Sequence, residues 1–104
     1  MVFNGVAKCQ SCHVGSALTD VNQGVLHTPA EDGQDPAYAL RSATKLYRTT
    51  PLRALWHPPQ LVGPYFHDGN AATLDAVVDH YVKLQGIVLS ARQKADLVEY
   101  LKTL

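Results

Sequence analysis

The chain has 104 residues, with 9 lysines and arginines against 9 aspartates and glutamates, 5 histidines and 2 cysteines. That length fits one domain with a modest core, and the balanced charge gives no ground for a nucleic-acid or anionic-membrane partner. The apolar stretches run to only a few residues, too short for a membrane span, and Met1-Val2-Phe3-Asn4 lacks the basic and apolar regions of a secretory signal.

In chain order, Phe3 to Ser11 predicts a short helix that delivers the pentapeptide Cys9-Gln10-Ser11-Cys12-His13. Two thiols three residues apart can add across the two vinyl groups of one porphyrin. The histidine after the second thiol then lies beneath the iron as proximal ligand. A bare CxxC is also half a zinc site or a redox dithiol. Structural zinc, however, needs a second ligand pair at short spacing. The chain has no third cysteine, and His27, His57, His67 and His80 are scattered singly. A thioredoxin-like dithiol needs a βαβ context, and no strand-rich pattern surrounds the motif. The pattern therefore predicts one covalent haem c, held by Cys9 and Cys12, with His13 on the iron. Such attachment takes place outside the bacterial cytoplasm, so the expected location is periplasmic or otherwise extracytoplasmic. Without a leader, the expectation is a single mono-haem domain over 1–104, processed or excised from a larger protein.

Val14 to Pro36 contains Gly15, Gly24, Pro29, Gly33 and Pro36, and predicts a long irregular loop wrapping one haem edge. Tyr38 to Tyr47 is ambiguous between a short helix and extended chain. Thr50-Pro51-Leu52-Arg53-Ala54-Leu55 predicts a brief helix, with Thr50 as N-cap and proline in the first turn. His57 to Pro64 holds 3 prolines and a glycine, a rigid non-helical passage.

Two stronger helices follow. Thr73 is an N-cap with Asp75 in the first turn, and Leu74, Val77, Val78, Tyr81 and Val82 form one apolar stripe. Gly86 reads as the stop between the helices. Ser90-Ala91-Arg92-Gln93 opens the last helix as a capping box. Ala91, Ala95, Val98 and Leu101 line one side of it, widened by Leu97, Tyr100 and Leu104, with Leu97, Val98 and Leu101 expected to pack on the N-terminal helix. The chain therefore reads as all-α.

Several runs resemble a known family. Tyr47-Arg48-Thr49-Thr50-Pro51-Leu52-Arg53-Ala54-Leu55 is similar to the "TPxLRN" segment of bacterial di-haem cytochrome c peroxidases and their MauG-like relatives. Gly63-Pro64-Tyr65-Phe66-His67-Asp68-Gly69 is similar to their "APYxHDG" signature, and Ala72-Thr73-Leu74-Asp75-Ala76-Val77-Val78 to "ATLEEVV". Leu97 to Leu104 resembles the closing "LVAFLKTL", and Phe3-Asn4-Gly5-Val6-Ala7-Lys8-Cys9 is typical of the second haem domain. The resemblance implies the C-terminal haem domain of such a protein, with a class I cytochrome c fold. Those proteins carry two haems, whereas this chain has one CxxCH. The domain it resembles is the electron-transferring one, so peroxidase activity does not carry over.

The sixth iron ligand is the open position. Met1, the sole methionine, sits at the chain's first residue, which argues against Met–His ligation. In the family the distal ligand lies on the helix after the HDG signature. Counting through the matching residues places Tyr81 there, as in MauG-like members. Tyr81 also falls on the apolar stripe, where a tyrosine is otherwise an ordinary core aromatic. His67 is the main alternative, His57 and His27 are weaker, His80 should point off the stripe, and an open face is a further option. Arg53 is the expected propionate partner, by fork-like pairing with a carboxylate, ahead of Tyr47 and Arg48. Trp56 and Tyr65 are expected against the porphyrin. Function follows as electron transfer with a redox partner protein or an adjacent haem domain. The alternative is peroxidase or MauG-like chemistry at an open or labile iron, with His67 and Asp68 as a conceivable acid–base pair. A small-ligand sensor would depend on the same open site.

Overall fold

The computed structural model describes residues 1–56, 64–66 and 68–104. Its helices are α1 (Pro29–Asp32), α2 (Ala37–Arg41), α3 (Leu74–Gln85) and α4 (Ala91–Lys102), with 3-10 turns at Cys9–Ser11 and Val21–Gln23. No strand forms among the described residues; isolated bridges join His27 to Tyr47 and Tyr65 to Ala71. This is the all-α architecture expected of a small cytochrome c-like domain. Most of the passage from His57 to Pro64, and the candidate ligand His67, lie outside the described residues.

The α3–α4 pair follows its local sequence. Thr73 caps α3 by accepting from the Ala76 N–H, and Asp75 lies in the first turn, where the helix dipole favours a negative charge. Gly86 ends α3 in the left-handed region at φ 61, and the Ile87 N–H closes onto the Val82 carbonyl at 3.0 Å, a Schellman arrangement. Ser90 and Gln93 form the complete capping box of α4. Leu74 and Val78 of α3 then meet Leu97, Val98 and Leu101 of α4 in the core.

Phe3 and Ala7 complete that core from the N-terminal segment. The Phe3 ring, 2 % exposed, stands edge-on to Tyr100 at 5.2 Å. The expected packing of α4 on the chain's first residues is therefore present, but those residues are not the α-helix predicted for Phe3 to Ser11. Their N–H groups reach back unevenly: Gly5 to Met1, Ala7 to Val2, Lys8 to Gly5 and Cys9 to Phe3. No repeating i−4 ladder forms, and Lys8 turns left-handed at φ 57 before the 3-10 turn begins. Ala91 and Ala95 are also solvent-exposed, not inward. The first turn of α4 is held to α3 by Lys94, paired with Asp79 at 2.7 Å and with Asp75 at 3.9 Å.

Thr50 to Leu55 is the second departure from expectation. It forms no helix, because Ala54 adopts φ 58 and its N–H donates to the Leu104 carbonyl at 2.9 Å. A long-range bond to the chain's last residue replaces the local one. Tyr38 to Tyr47 begins in α2 and ends at the bridge from Tyr47 to His27, with bends and a left-handed Lys45 at φ 59 between them. Val14 to Pro36 is irregular as expected, interrupted by the Val21–Gln23 turn and α1.

Candidate functional site

The Cys9–Ser11 turn sets both thiols and the His13 imidazole along one short arc. Cys9 and Cys12 are free and half-buried. Burial pushes both thiols above 9.0, so each keeps its proton at neutral pH. The backbone N–H groups of Cys12 and His13 both reach the Cys9 carbonyl, at 3.3 and 3.0 Å, which tightens the arc.

His13 Nδ1 lies 2.9 Å from the Leu18 carbonyl. A carbonyl only accepts, so the proton is on Nδ1 and the Nε2 lone pair is available to a metal. Burial lowers the pKa of the ring, which keeps it neutral, the form that ligates. Leu18 pays for this aim with a left-handed backbone at φ 53. The residue before the motif, Lys8, and the turn residue Phe66 share that conformation, at φ 57 and φ 66. Strain of this kind is sustained where surrounding contacts fix it, and it gathers at functional sites.

Tyr81 is half-buried on α3, on the face that carries Leu74 and Val78. Its phenol is pushed up to about 12 by burial first, then by the negative fields of Asp32, Cys12 and Cys9, against a lowering contribution from the Gln34 side chain. The Phe66 ring stands perpendicular to the phenol at 6.2 Å. A cavity of about 390 Å³ opens beside Phe66, lined also by Gly33, Gln34, Asp68 and His80.

The other histidines have different partners. His80 Nε2 donates to the Asp32 carbonyl at 2.8 Å, off the stripe as expected. His27 is held between two carboxylates, with Nε2 at 2.7 Å from Asp20 and Nδ1 at 2.9 Å from Glu31. With both nitrogens engaged, it is not placed as a distal ligand. Cys12, Asp20 and His27 bring one donor atom each within 4.8 Å of one another. His57 and His67 lie outside the described residues. Met1 is 69 % exposed, in keeping with its exclusion.

Arg53 is exposed, and its Nη2 donates to the Ser16 carbonyl at 2.6 Å, tying the segment after Pro51 to the loop that follows the motif. Tyr65 packs against the apolar core, while Trp56 is 60 % exposed. Asp68, the expected partner of His67, accepts from the Asn70 backbone at 3.0 Å and from its side chain at 2.7 Å. Sequence reasoning missed Asp20, Gln34 and the Leu18 carbonyl. The i, i+4 spacing of His27 and Glu31 is the one local signal that could have exposed the first of these clusters.

This donor set fits a c-type haem: two protonated thiols, an imidazole with its Nε2 free, and a half-buried phenol on α3. Gln34 adds a buried Nε2 that lacks a hydrogen-bond partner.

Among known proteins, no family model and no solved structure matches the chain. It is 32% identical over 118 residues to the methylamine utilization protein MauG of Methylorubrum extorquens, an alignment spanning 99% of this chain and 32% of that protein. A second match, 28% identical over 119 residues, is to the methylamine utilization protein MauG of Methylophilus methylotrophus, spanning 99% of this chain and 34% of that protein. The chain thus spans about a third of the length of the curated relatives it matches. Along nearly its full length the chain is thus similar to part of the MauG proteins, relatives of MauG-like cytochrome c peroxidase type.

Proposed function

We propose that this chain is an electron-transfer cytochrome domain with one covalent haem c, ligated by His13 and Tyr81. Cys9 and Cys12 would each add S–H across one vinyl group, sulfur to one carbon and hydrogen to the other, with no net redox change. The bound group supplies a one-electron ferric/ferrous couple. The chain's own residues do the rest. Leu18 orients the His13 ring through its carbonyl. α3 carries Tyr81 toward the sulfurs, and burial withholds water from the phenol. Arg53 is the proposed propionate partner, exchanging its Ser16 carbonyl for a carboxylate. Tyr65 and Trp56 would flank the porphyrin.

The observation that carries this reading is a His13 ring fixed through Nδ1, its other nitrogen free, beside the two thiols, together with a half-buried Tyr81 on the face of α3 that carries Leu74 and Val78. A phenol titrating near 12 gives up its proton at neutral pH only to a strongly charged metal. Ferric iron meets that demand better than ferrous, so tyrosinate ligation would lower the reduction potential. We place the protein in an extracytoplasmic compartment, working with a redox partner protein or a neighbouring haem domain, as the second haem domain of a longer MauG-like protein. No helix among the described residues is long and apolar enough to cross a membrane.

A peroxidase-like enzyme domain with an exchangeable sixth position is the second reading, favoured by the family relationship. One set of optical measurements separates the two. Colour that survives acidified organic solvent, a ferric tyrosinate charge-transfer band lost in Tyr81→Phe, and a reduced spectrum indifferent to carbon monoxide support the carrier. Pigment that washes out overturns covalent attachment. A ferric spectrum unchanged in Tyr81→Phe overturns the distal assignment, and binding of carbon monoxide or peroxide favours the enzyme.

A further inference from the structure

The irregular chain between the motif and α1 folds back so that three donor atoms from separate turns converge. Cys12, Asp20 and His27 bring one sulfur, one carboxylate oxygen and one imidazole nitrogen within 4.8 Å of one another. Each position is fixed by bonds of its own. The Cys12 N–H donates to the Cys9 carbonyl at 3.3 Å. Asp20 is buried, and its flanks are held by Thr19 Oγ1, which donates to the Thr49 carbonyl at 2.6 Å and accepts from the Val21 N–H at 3.2 Å. His27 is bridged to Tyr47 by two backbone bonds, each of 2.8 Å.

The imidazole is oriented as metal-bound imidazoles are. Nδ1 lies 2.9 Å from the Glu31 carboxylate, and Nε2 lies 2.7 Å from Asp20 Oδ2. Metal-ligating histidines commonly donate one ring N–H to a carboxylate, which fixes the ring and leaves the other nitrogen to the metal. Glu31 fills that outer role from α1, and Asp20 stands on the metal side of the ring. Thiolate, imidazole and carboxylate are the donor types that zinc takes, in a tetrahedral set whose fourth place can go to water. Zinc bonds of about 2.0–2.3 Å set tetrahedral ligand atoms roughly 3.4–3.7 Å apart. The widest separation in the cluster therefore closes by about 1 Å at most, and the Asp20–His27 pair opens by less than that.

We infer that, while Cys12 is a free thiol, the chain holds one zinc-like divalent cation on Cys12 Sγ, Asp20 Oδ2 and His27 Nε2, with Glu31 orienting the imidazole. The cation takes the place of the proton between His27 and Asp20. The Cys12 thiol gives up its own proton to solvent, so no electron changes hands. Cys9 and His13 stand outside this site, and the inference rests neither on Tyr81 as a ligand nor on the haem. It meets the haem reading at one atom. A thioether sulfur carries no charge and is a poor zinc donor, so attachment of Cys12 to a vinyl carbon and binding of the cation exclude each other.

The test uses the haem-free full chain, kept reduced, with cobalt(II) as a coloured stand-in for zinc. A thiolate-to-cobalt charge-transfer band should saturate at one cobalt per chain with the strength of a single thiolate, and zinc should bleach it. Cys12→Ser should abolish the band. His27→Ala, which removes a ligand, should weaken cobalt binding by well over tenfold. Glu31→Gln, which removes only the outer-shell partner, should weaken it by about tenfold. Glu31 is exposed, so that variant serves if His27→Ala fails to fold. Cys9→Ser and His13→Ala should keep both the band and the affinity. The absence of a band overturns the inference. So does a band of two-thiolate strength, or one lost in Cys9→Ser or His13→Ala, because the motif would then be chelating by itself. Wild-type affinity in His27→Ala, or in Glu31→Gln, overturns it as well.

Discussion

In the α3–α4 pair, most local features of sequence become the local structure they predict: Thr73 and Ser90 cap, Gly86 stops, and the larger apolar residues at helical spacing turn inward, with Ala91 and Ala95 left in solvent. Residues 1–56 behave differently. There the chain is fixed by single bonds between distant residues, such as Thr19 Oγ1 to the Thr49 carbonyl at 2.6 Å and Ala54 N–H to the Leu104 carbonyl at 2.9 Å. Among the described residues, four of the five left-handed non-glycine positions also lie in it: Lys8, Leu18, Lys45 and Ala54. The contrast teaches where each half draws its order. The helical pair is self-specifying, whereas the loop half is shaped by partners far along the chain and, on the proposed reading, by a porphyrin.

If that is right, the joint between the halves is the most sensitive point. Phe3 belongs to the loop half but fills the helical core, at 2 % exposure. Phe3→Ala is expected to cost about 3–5 kcal/mol in a denaturant titration. A loss below about 1 kcal/mol would mean the halves are not joined there, and the comparison would break.

The next effect is a pH dependence confined to the loop half. Burial opposes charge on His27, but the hydrogen bonds to Asp20 and Glu31 outweigh it and raise its pKa above 6.5. Asp20 is penalised by burial yet held below 3.8 by its hydrogen bonds with Thr49 and His27. The raised histidine stabilises fully below 6.5 and loses this as pH rises through its folded value. The depressed carboxyl stabilises fully above 3.8 and loses this as pH falls through its folded value. Stability from the pair therefore peaks between 3.8 and 6.5. Urea midpoints across pH 3 to 9 should show that dome, and Asp20→Asn should flatten it. An unflattened dome would place its origin elsewhere.

These cases also show which parts of the molecule were legible. The closeness of Cys9, Cys12 and His13 is legible because they are near neighbours in the sequence. The caps of α3 and α4 are legible because their bonds span three residues. Phe3 to Ser11 and Thr50 to Leu55 mislead because their sequences permit helix, while the backbone bonds go to irregular or remote acceptors. Gln34 and Asp20 were invisible for the same reason. Nothing near either residue says that α3 or Thr49 will lie beside it.

Within the helical pair, effects should be smaller and local. Ser90→Ala removes one half of the capping box and is expected to cost about 1 kcal/mol. Fraying should be confined to α4, read as faster amide exchange over its first turn. Exchange that also rose around His27 would show that the halves are not separable, and would blur the contrast.

The smallest expected effect has the opposite sign. Ala54 is exposed and left-handed at φ 58, held there by the bond from its N–H to Leu104. That backbone costs an L-residue roughly 1–2 kcal/mol, while glycine adds about 0.5–1 kcal/mol of unfolded-chain entropy. Ala54→Gly should therefore stabilise by about 0.5 kcal/mol. Lys45, also exposed, shares the conformation at φ 59, but its ammonium donates to the Leu40 carbonyl. Lys45→Gly relieves the same strain and loses that contact, so its gain should be smaller than that of Ala54→Gly. Thermal melts of the two variants measure the difference directly. A gain at Ala54 shows that a remote bond is holding the loop half against its local preference. A loss there would mean that residue 54 relaxes freely, and that this stretch orders itself as the helices do.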